Sequence, residues 1–240
     1  MFHHLLVAIA LILPLAAAEA VKAPAIYMIG DSTMANKTRL DHPERGWGQL
    51  FREFIIPPAR LENHALNGRS SKSFVSEKHW AKILDSLHPG DWVIIQFGHN
   101  DQKADKPELH TDPTGSYREN LLRFIRETRA KSAHPILATS VVRRRWDSNG
   151  EFIDTLGDYP AATRALAVAE NVPLLDLHKL TLKMESEAGI EGSKRFHFPG
   201  DDTHYSENGA RATAALAAEE IHRLNLPLAK WISTTAEANP

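Results

Sequence analysis

The segment "DWVIIQFGHND", Asp91 to Asp101, carries apolar residues on successive positions and then stops at a glycine followed by polar residues. A strand with one wet face would alternate. An unbroken short apolar run belongs to a strand covered on both faces. With Trp92–Phe97, further candidate strands are Ile26–Ile29, Leu61–Leu66, Ile136–Val142 and Val172–Leu175. Between and after them lie helix-like segments at 47–55, 77–87, 117–131, 159–170, 179–188 and 207–224. In the last of these, Ala210, Ala214, Ala217, Ile221 and Leu224 share one stripe, and Ser206 is placed to cap its start. Five strands alternating with helices predict a three-layer α/β/α sandwich around a five-stranded parallel sheet.

The length of 240 residues suits one domain, and a 42% hydrophobic content gives it a sizeable core. The first twenty residues stand apart. An apolar stretch from Leu5 to Ala18 ends in Ala18-Glu19-Ala20, the small-x-small pattern of a signal-peptide cleavage site. The stretch is shorter than the ~20 residues a spanning helix needs. The expected organisation is therefore a signal peptide over 1–20 and one catalytic domain over 21–240, secreted or periplasmic. An uncleaved membrane anchor is the rival reading, since the leader holds His3 and His4 but no Lys or Arg before its apolar stretch. A net charge of -2 offers no general attraction to nucleic acid or to an anionic membrane. The chain has no cysteine, which excludes thiol nucleophiles and thiolate metal sites. The histidines outside the polar segments described below, such as His64, His79 and His178, show no metal-ligand spacing with Asp or Glu, and no metal is expected.

In a parallel sheet, the residues that follow each strand converge on one edge, where ligands of open α/β sheets bind. Here those residues are Gly30-Asp31-Ser32, Asn67-Gly68-Arg69 and Gly98-His99-Asn100-Asp101. A fourth polar segment, Asp201-Asp202-Thr203-His204, precedes the last helix and joins them if that helix packs beside the first strand. These types suit acyl transfer. A serine hydroxyl needs an imidazole to take its proton, and the imidazole needs a carboxylate to fix its tautomer. Ser32 is the candidate nucleophile, His204 the base and Asp201, three residues earlier, the orienting acid. Asp202 is the rival acid. The backbone N–H groups of Ser32 and Gly68 and the side-chain amide of Asn100 are candidate oxyanion donors. The serine context is not the Gly-x-Ser-x-Gly elbow, because Thr33-Met34 follows Ser32.

The four segments resemble, in order, the four sequence blocks of the SGNH, or GDSL-type, hydrolases, with Ser32, Gly68, Asn100 and His204 at the lettered positions. The strings "GDSTMA", "GWGQLF", "NGRSSKSF", "QFGHNDQ" and "DDTHYSENGA" are similar to the rhamnogalacturonan acetylesterase branch. The resemblance implies a flavodoxin-like fold, a secreted serine esterase without cofactor, and an acetylated pectin polysaccharide or oligosaccharide as substrate. Related acetylxylan esterases share several of these strings and remain an alternative. So do a GDSL lipase or thioesterase and a non-catalytic carbohydrate-binding protein. Oligomeric state is left open.

Around this edge, Arg69, Lys103 and the run Arg143-Arg144-Arg145 form a candidate cationic rim for uronate carboxylates, the alternative being a solvated charged loop. Arg69, Arg143 and Arg145 are the candidate substrate contacts. His99 either lines the pocket or packs beneath Asn100. Asp31 is expected to hold its own turn, and Trp47 to belong to the core.

Overall fold

The computed structural model describes residues 23–39 and 41–236. The leader expected over 1–20 lies outside them. In chain order the elements are β1 (Ala25–Gly30), β2 (Glu44–Arg45), α1 (Trp47–Leu50), β3 (Arg60–Asn63), α2 (Ser71–Ser76), α3 (His79–Ser86), β4 (Trp92–Gln96), α4 (Ser116–Ala130), β5 (His134–Ala138), α5 (Tyr159–Ala169), β6 (Leu174–Leu175), α6 (Leu177–Ser193), β7 (Tyr205–Ser206) and α7 (Glu207–Arg223).

The main sheet has the order β3-β1-β4-β5-β6, and every pairing is parallel. Successive strand residues enter opposite cores, as the unbroken apolar runs require. Ile26, Met28, Ile94 and Ile136 pack with α1, α6 and α7, while Tyr27, Ile29, Val93 and Ile95 pack with α2 to α5. This is the expected three-layer sandwich. The chain leaves β1 for β3 on one side and returns to β4 on the other, so the order reverses at β1. That reversal opens the crevice in which α/β folds bind ligands.

Several boundaries differ from the sequence reading. The predicted helix over 47–55 splits into α1 and a 3-10 turn, Phe51–Phe54. The predicted strand over 136–142 stops at Ala138, because side chains take over from the sheet ladder. Ser140 Oγ donates to the Phe97 carbonyl at 2.7 Å, and Val142 N donates to Thr181 Oγ1 at 3.1 Å. Helix α6 loses helical geometry at Gly189, just after the predicted end at 188. Helix α2 was not expected from the sequence "SSKSFVS". Its signal is a reciprocal cap: Ser70 Oγ accepts from Ser73 N, and Ser73 Oγ accepts from Ser70 N, with serine in the place usually held by Glu or Gln.

The pairing of β2 with β7 was also not expected. Arg45 pairs with Tyr205 and Glu44 with Ser206 in an antiparallel ribbon of two residues per strand. This ribbon ties the segment before α7 to the segment after β1. Gly46 continues it into α1, and any Cβ there would overlap the backbone of Met34 and Ala35. The glycine is thus needed for close approach. Ser206 Oγ accepts from Gly209 N at 3.3 Å and caps α7 as expected. Among the described residues no helix is long and apolar enough to cross a membrane.

Candidate active site

Ser32 lies in the turn that follows β1. The turn is built by Asp31, which is fully buried. Its Oδ1 accepts from Thr33 N at 3.0 Å and from Thr33 Oγ1 at 2.8 Å, and its carbonyl accepts from Met34 N and Ala35 N. Its Oδ2 faces His99 Nδ1 at 3.2 Å. Burial works to raise the Asp31 carboxyl, but the charge and hydrogen bond of His99 and the Thr33 bonds hold it down at about 2. Thr33 Oγ1 in turn accepts from Gln96 Nε2, and Gln96 Oε1 accepts from the indole of Trp47, which is wholly buried as expected. The serine turn is therefore fixed from beneath by a continuous buried network.

Ser32 Oγ lies 2.9 Å from His204 Nε2. His204 Nδ1 lies 2.7 Å from Asp201 Oδ2. A carboxylate only accepts, so the Nδ1 proton points at Asp201 and leaves Nε2 free to accept from the serine. Asp201 Oδ1 also accepts the backbone N–H groups of Thr203 and His204, closing a short turn that aims Oδ2 at the ring. Burial tends to raise its carboxyl. The bonds from the ring and the two N–H groups outweigh that and hold it below the ordinary range. Asp202 points elsewhere: its carboxylate pairs with Arg145 at 2.8 Å and its carbonyl accepts from Arg144 N.

Gly68 occupies the third position of a turn closed by Arg69 N donating to the Leu66 carbonyl. Its φ is +76°, the value that position of a type II turn demands. Asn100 is buried, with Nδ2 donating to the Arg69 carbonyl at 3.0 Å and Oδ1 accepting from Lys103 Nζ at 2.6 Å. The amide cannot be reversed without setting its NH₂ against an ammonium and its oxygen against a carbonyl. The N–H groups of Ser32 and Gly68 donate to no acceptor among the described residues. Asn100 keeps a second N–H beyond the one given to Arg69.

The expected cationic contacts fare differently. His99 is corrected from a candidate pocket residue to a buried one: it is 3% exposed and supports Asp31 from below. Arg143 donates to Thr155 Oγ1 and to the His99 carbonyl, and the Gln102 amide accepts from it when turned with its oxygen toward the guanidinium. It stitches the loop after β5 to the loop after β4 instead of standing free. Arg145 is held by Asp202. Arg69 pairs with Glu77 and donates Nη1 to the Asn67 carbonyl.

One residue escaped the sequence reading. Lys37 is 8% exposed, and its ammonium donates to the Ser32 carbonyl at 2.7 Å and to Asn67 Oδ1 at 2.6 Å, and pairs with Glu44 at 2.7 Å. It joins the serine turn, the Gly68 turn and the β2–β7 ribbon. A lysine after a strand gives no sequence sign of burial, since lysine is usually exposed. Beside it runs a cavity of about 580 Å³, lined by Lys37, His42, Leu66, Asn67, Arg69 and His79 among others. Neither Ser32 nor His204 lines it. It flanks the Gly68 turn. Among the described residues no cluster of three or more His, Asp or Glu side chains is arranged to hold a metal ion.

Asp101 is buried under α2. It accepts from Ser71 N, Ser71 Oγ and Thr111 Oγ1. Burial outweighs those bonds, with Asp31 adding repulsion, and raises its carboxyl to about 6. The folded state therefore favours the protonated form relative to the unfolded chain, whose value is near 3.9. The contribution is present below about 4 and is lost as pH rises through about 6. Asp101→Asn removes this titration. The stability of the variant relative to the parent is expected to rise by about 2 kcal/mol between pH 4 and pH 7. Urea unfolding across that range checks it. A flat difference would show that the hydrogen bonds prevail over burial.

The GDSL-like lipase/acylhydrolase family model matches residues 28–212. The rhamnogalacturonan acetylesterase RhgT of Bacillus subtilis is 39% identical over 216 residues, covering 85% of this chain and 91% of its own length. The crystal structure of the Bacillus subtilis protein YxiM superposes with a TM-score of 0.78 at 30% identity, over 86% of this chain and 58% of that one. A catalytic mutant of the acetylxylan esterase Axe2 from Geobacillus stearothermophilus shares the fold, with a TM-score of 0.62 at 17% identity over 82% of this chain and 94% of that one.

Proposed function

The chain belongs to the GDSL-like lipase/acylhydrolase family, and from that premise we propose that it is a serine carbohydrate acetylesterase acting on acetylated rhamnogalacturonan. The observation that carries the chemistry is the unbroken hydrogen-bonded row from Ser32 Oγ through His204 to Asp201. The relation to a rhamnogalacturonan acetylesterase over most of both chains supports the substrate.

In the first half-reaction Ser32 Oγ attacks the acetyl carbonyl while His204 Nε2 takes the hydroxyl proton. The oxyanion of the tetrahedral intermediate accepts from Ser32 N–H, Gly68 N–H and the remaining Asn100 N–H. Asp201 holds the imidazolium in place. The intermediate collapses, the C–O bond to the sugar breaks, and His204 returns the proton to the departing sugar oxygen. Water then attacks the acetyl-enzyme with His204 as base. Acetate leaves and Ser32 regains its proton.

The test is acetate release from acetylated rhamnogalacturonan, acetylated homogalacturonan, acetylated xylan and 4-nitrophenyl acetate by residues 21–240, the span expected to follow the leader. Preferential release from rhamnogalacturonan, lost in Ser32→Ala, is the expected result. Preference for xylan would keep the mechanism and overturn the substrate. Equal release by parent and Ser32→Ala would overturn the mechanism.

A further inference from the structure

The three amide units that carry the oxyanion donors share a feature on their far side. The Ser32 N–H belongs to the peptide whose oxygen is the Asp31 carbonyl, which accepts from Met34 N and Ala35 N. The Gly68 N–H belongs to the peptide whose oxygen is the Asn67 carbonyl, which accepts from the Arg69 guanidinium at 3.0 Å. The Asn100 N–H belongs to the side-chain amide whose oxygen accepts from the Lys103 ammonium at 2.6 Å. Each donor is thus one end of an amide whose other end is hydrogen-bonded, and in two of the three the partner is a cation.

An amide is a conjugated unit. A donor on its oxygen draws electron density along O–C–N and leaves the N–H more positive. Cooperative strengthening of this kind amounts to roughly 10–30% per bond, and charged donors make the stronger bonds. We propose that Arg69 and Lys103 are positioning residues of the oxyanion hole: they hold and polarise its amides from behind and do not bind the substrate. This rests on the reading of Ser32, Gly68 and Asn100 as the oxyanion donors. It gives Arg69 and Lys103 a use other than the carboxylate-binding rim read from the sequence. The two residues also support one another, since the carbonyl of Arg69 accepts from Asn100 Nδ2. That bond and the Lys103 bond together fix which face of the Asn100 amide looks at the substrate.

The test uses the small neutral ester 4-nitrophenyl acetate, which carries no carboxylate for a cation to recognise. Methylboronic acid serves as the probe of the hole, because its adduct on Ser32 is tetrahedral and anionic. Lys103→Met is expected to lower kcat about tenfold with KM within twofold of the parent. It should weaken boronic acid inhibition by the same factor. Lys103→Gln can still donate to Asn100 Oδ1 but has no charge, and should fall between Met and the parent. Lys103→Arg should restore most of the loss. Arg69→Met should behave like Lys103→Met. Melting temperatures identify any variant that fails to fold, in which case the Gln and Arg variants carry the comparison.

Unchanged kcat in Lys103→Met and Arg69→Met, with Ser32→Ala inactive, would overturn the proposal and leave the catalytic reading standing. So would a loss confined to KM on acetylated pectin fragments, which would make the two cations substrate contacts. Activity that survives Ser32→Ala would instead remove the catalytic reading, and this proposal with it.

Discussion

Ser32→Ala is expected to lower acetate release by roughly 10⁵- to 10⁶-fold while leaving the melting temperature within about 2 °C of the parent. The two halves of that expectation have separate causes. In the proposed reaction the hydroxyl is the attacking atom, which no other group on the sheet edge would replace. Among the described residues its only hydrogen bond is to His204 Nε2, and Ser32 is partly exposed, so its loss leaves no buried group without a partner. His204→Ala should cost about as much, and the double variant little more than either, because the two act as one unit. Asp201→Asn is the finer probe. Its Oδ1 can still accept from Thr203 N and His204 N, so the turn survives. Its NH₂ would then face His204 Nδ1 and favour the tautomer with the proton on Nε2, which cannot accept from the serine. A loss of roughly 10⁴-fold in kcat with an unchanged fold is expected. Single-turnover kinetics and far-ultraviolet circular dichroism on the same preparations check both parts. A Ser32→Ala enzyme with activity within tenfold of the parent would remove Ser32 from the reaction.

The positions of Ser32, Gly68 and Asn100 were readable because parallel topology maps strand ends onto one edge whatever their separation in sequence. Gly68 was readable as a residue of that edge, but not the reason it is glycine, which is its positive φ. His204 was harder. Its arrival beside Ser32 depends on the β2–β7 ribbon, two residues on each side, and such a short pairing leaves no period in the sequence. The cations show a different limit. Composition reveals that Arg69, Lys103, Arg143 and Arg145 gather near the edge, but not what each bonds. Arg143 is spent on Thr155 and the His99 carbonyl, and Arg69 on Glu77 and the Asn67 carbonyl. Backbone carbonyls are the same at every residue, so a side chain that bonds one leaves no pattern to read. Lys37 is the extreme case, since it is buried by a backbone carbonyl, the Asn67 amide and the Glu44 carboxylate, partners at no regular spacing.

Glu185→Ala is expected to be the most destabilising of the single substitutions considered, although Glu185 takes no part in the chemistry. Its carboxylate and the ring of His197 are both buried, 2.7 Å apart, between α6 and the segment leading to β7. Glu185 Oε2 and His197 Nδ1 have no hydrogen-bond partner among the described residues, so each residue depends on the other for its polar contact. Removing the carboxylate strands the imidazole in the interior and opens a cavity. Breaking a buried pair from one side costs about 3–5 kcal/mol, which for a chain of this size lowers the melting temperature by about 10 °C. The pair itself need not be a large net stabiliser, because both groups are desolvated when it forms. Replacing both partners by apolar residues of similar volume, Glu185→Met with His197→Phe, should therefore recover much of the loss, and the cycle should show coupling of more than about 1 kcal/mol. His197 also packs on the ring of Tyr205, the residue that follows His204, at 5.1 Å between ring centres. The pair thus anchors the segment that carries His204 from outside the candidate site. Below the melting transition, kcat of Glu185→Ala should stay within about threefold of the parent, because the bonds that orient His204 come from Asp201 and not from α6. A hundredfold drop in kcat with an unchanged melting temperature would assign Glu185 to the reaction and reverse this assignment.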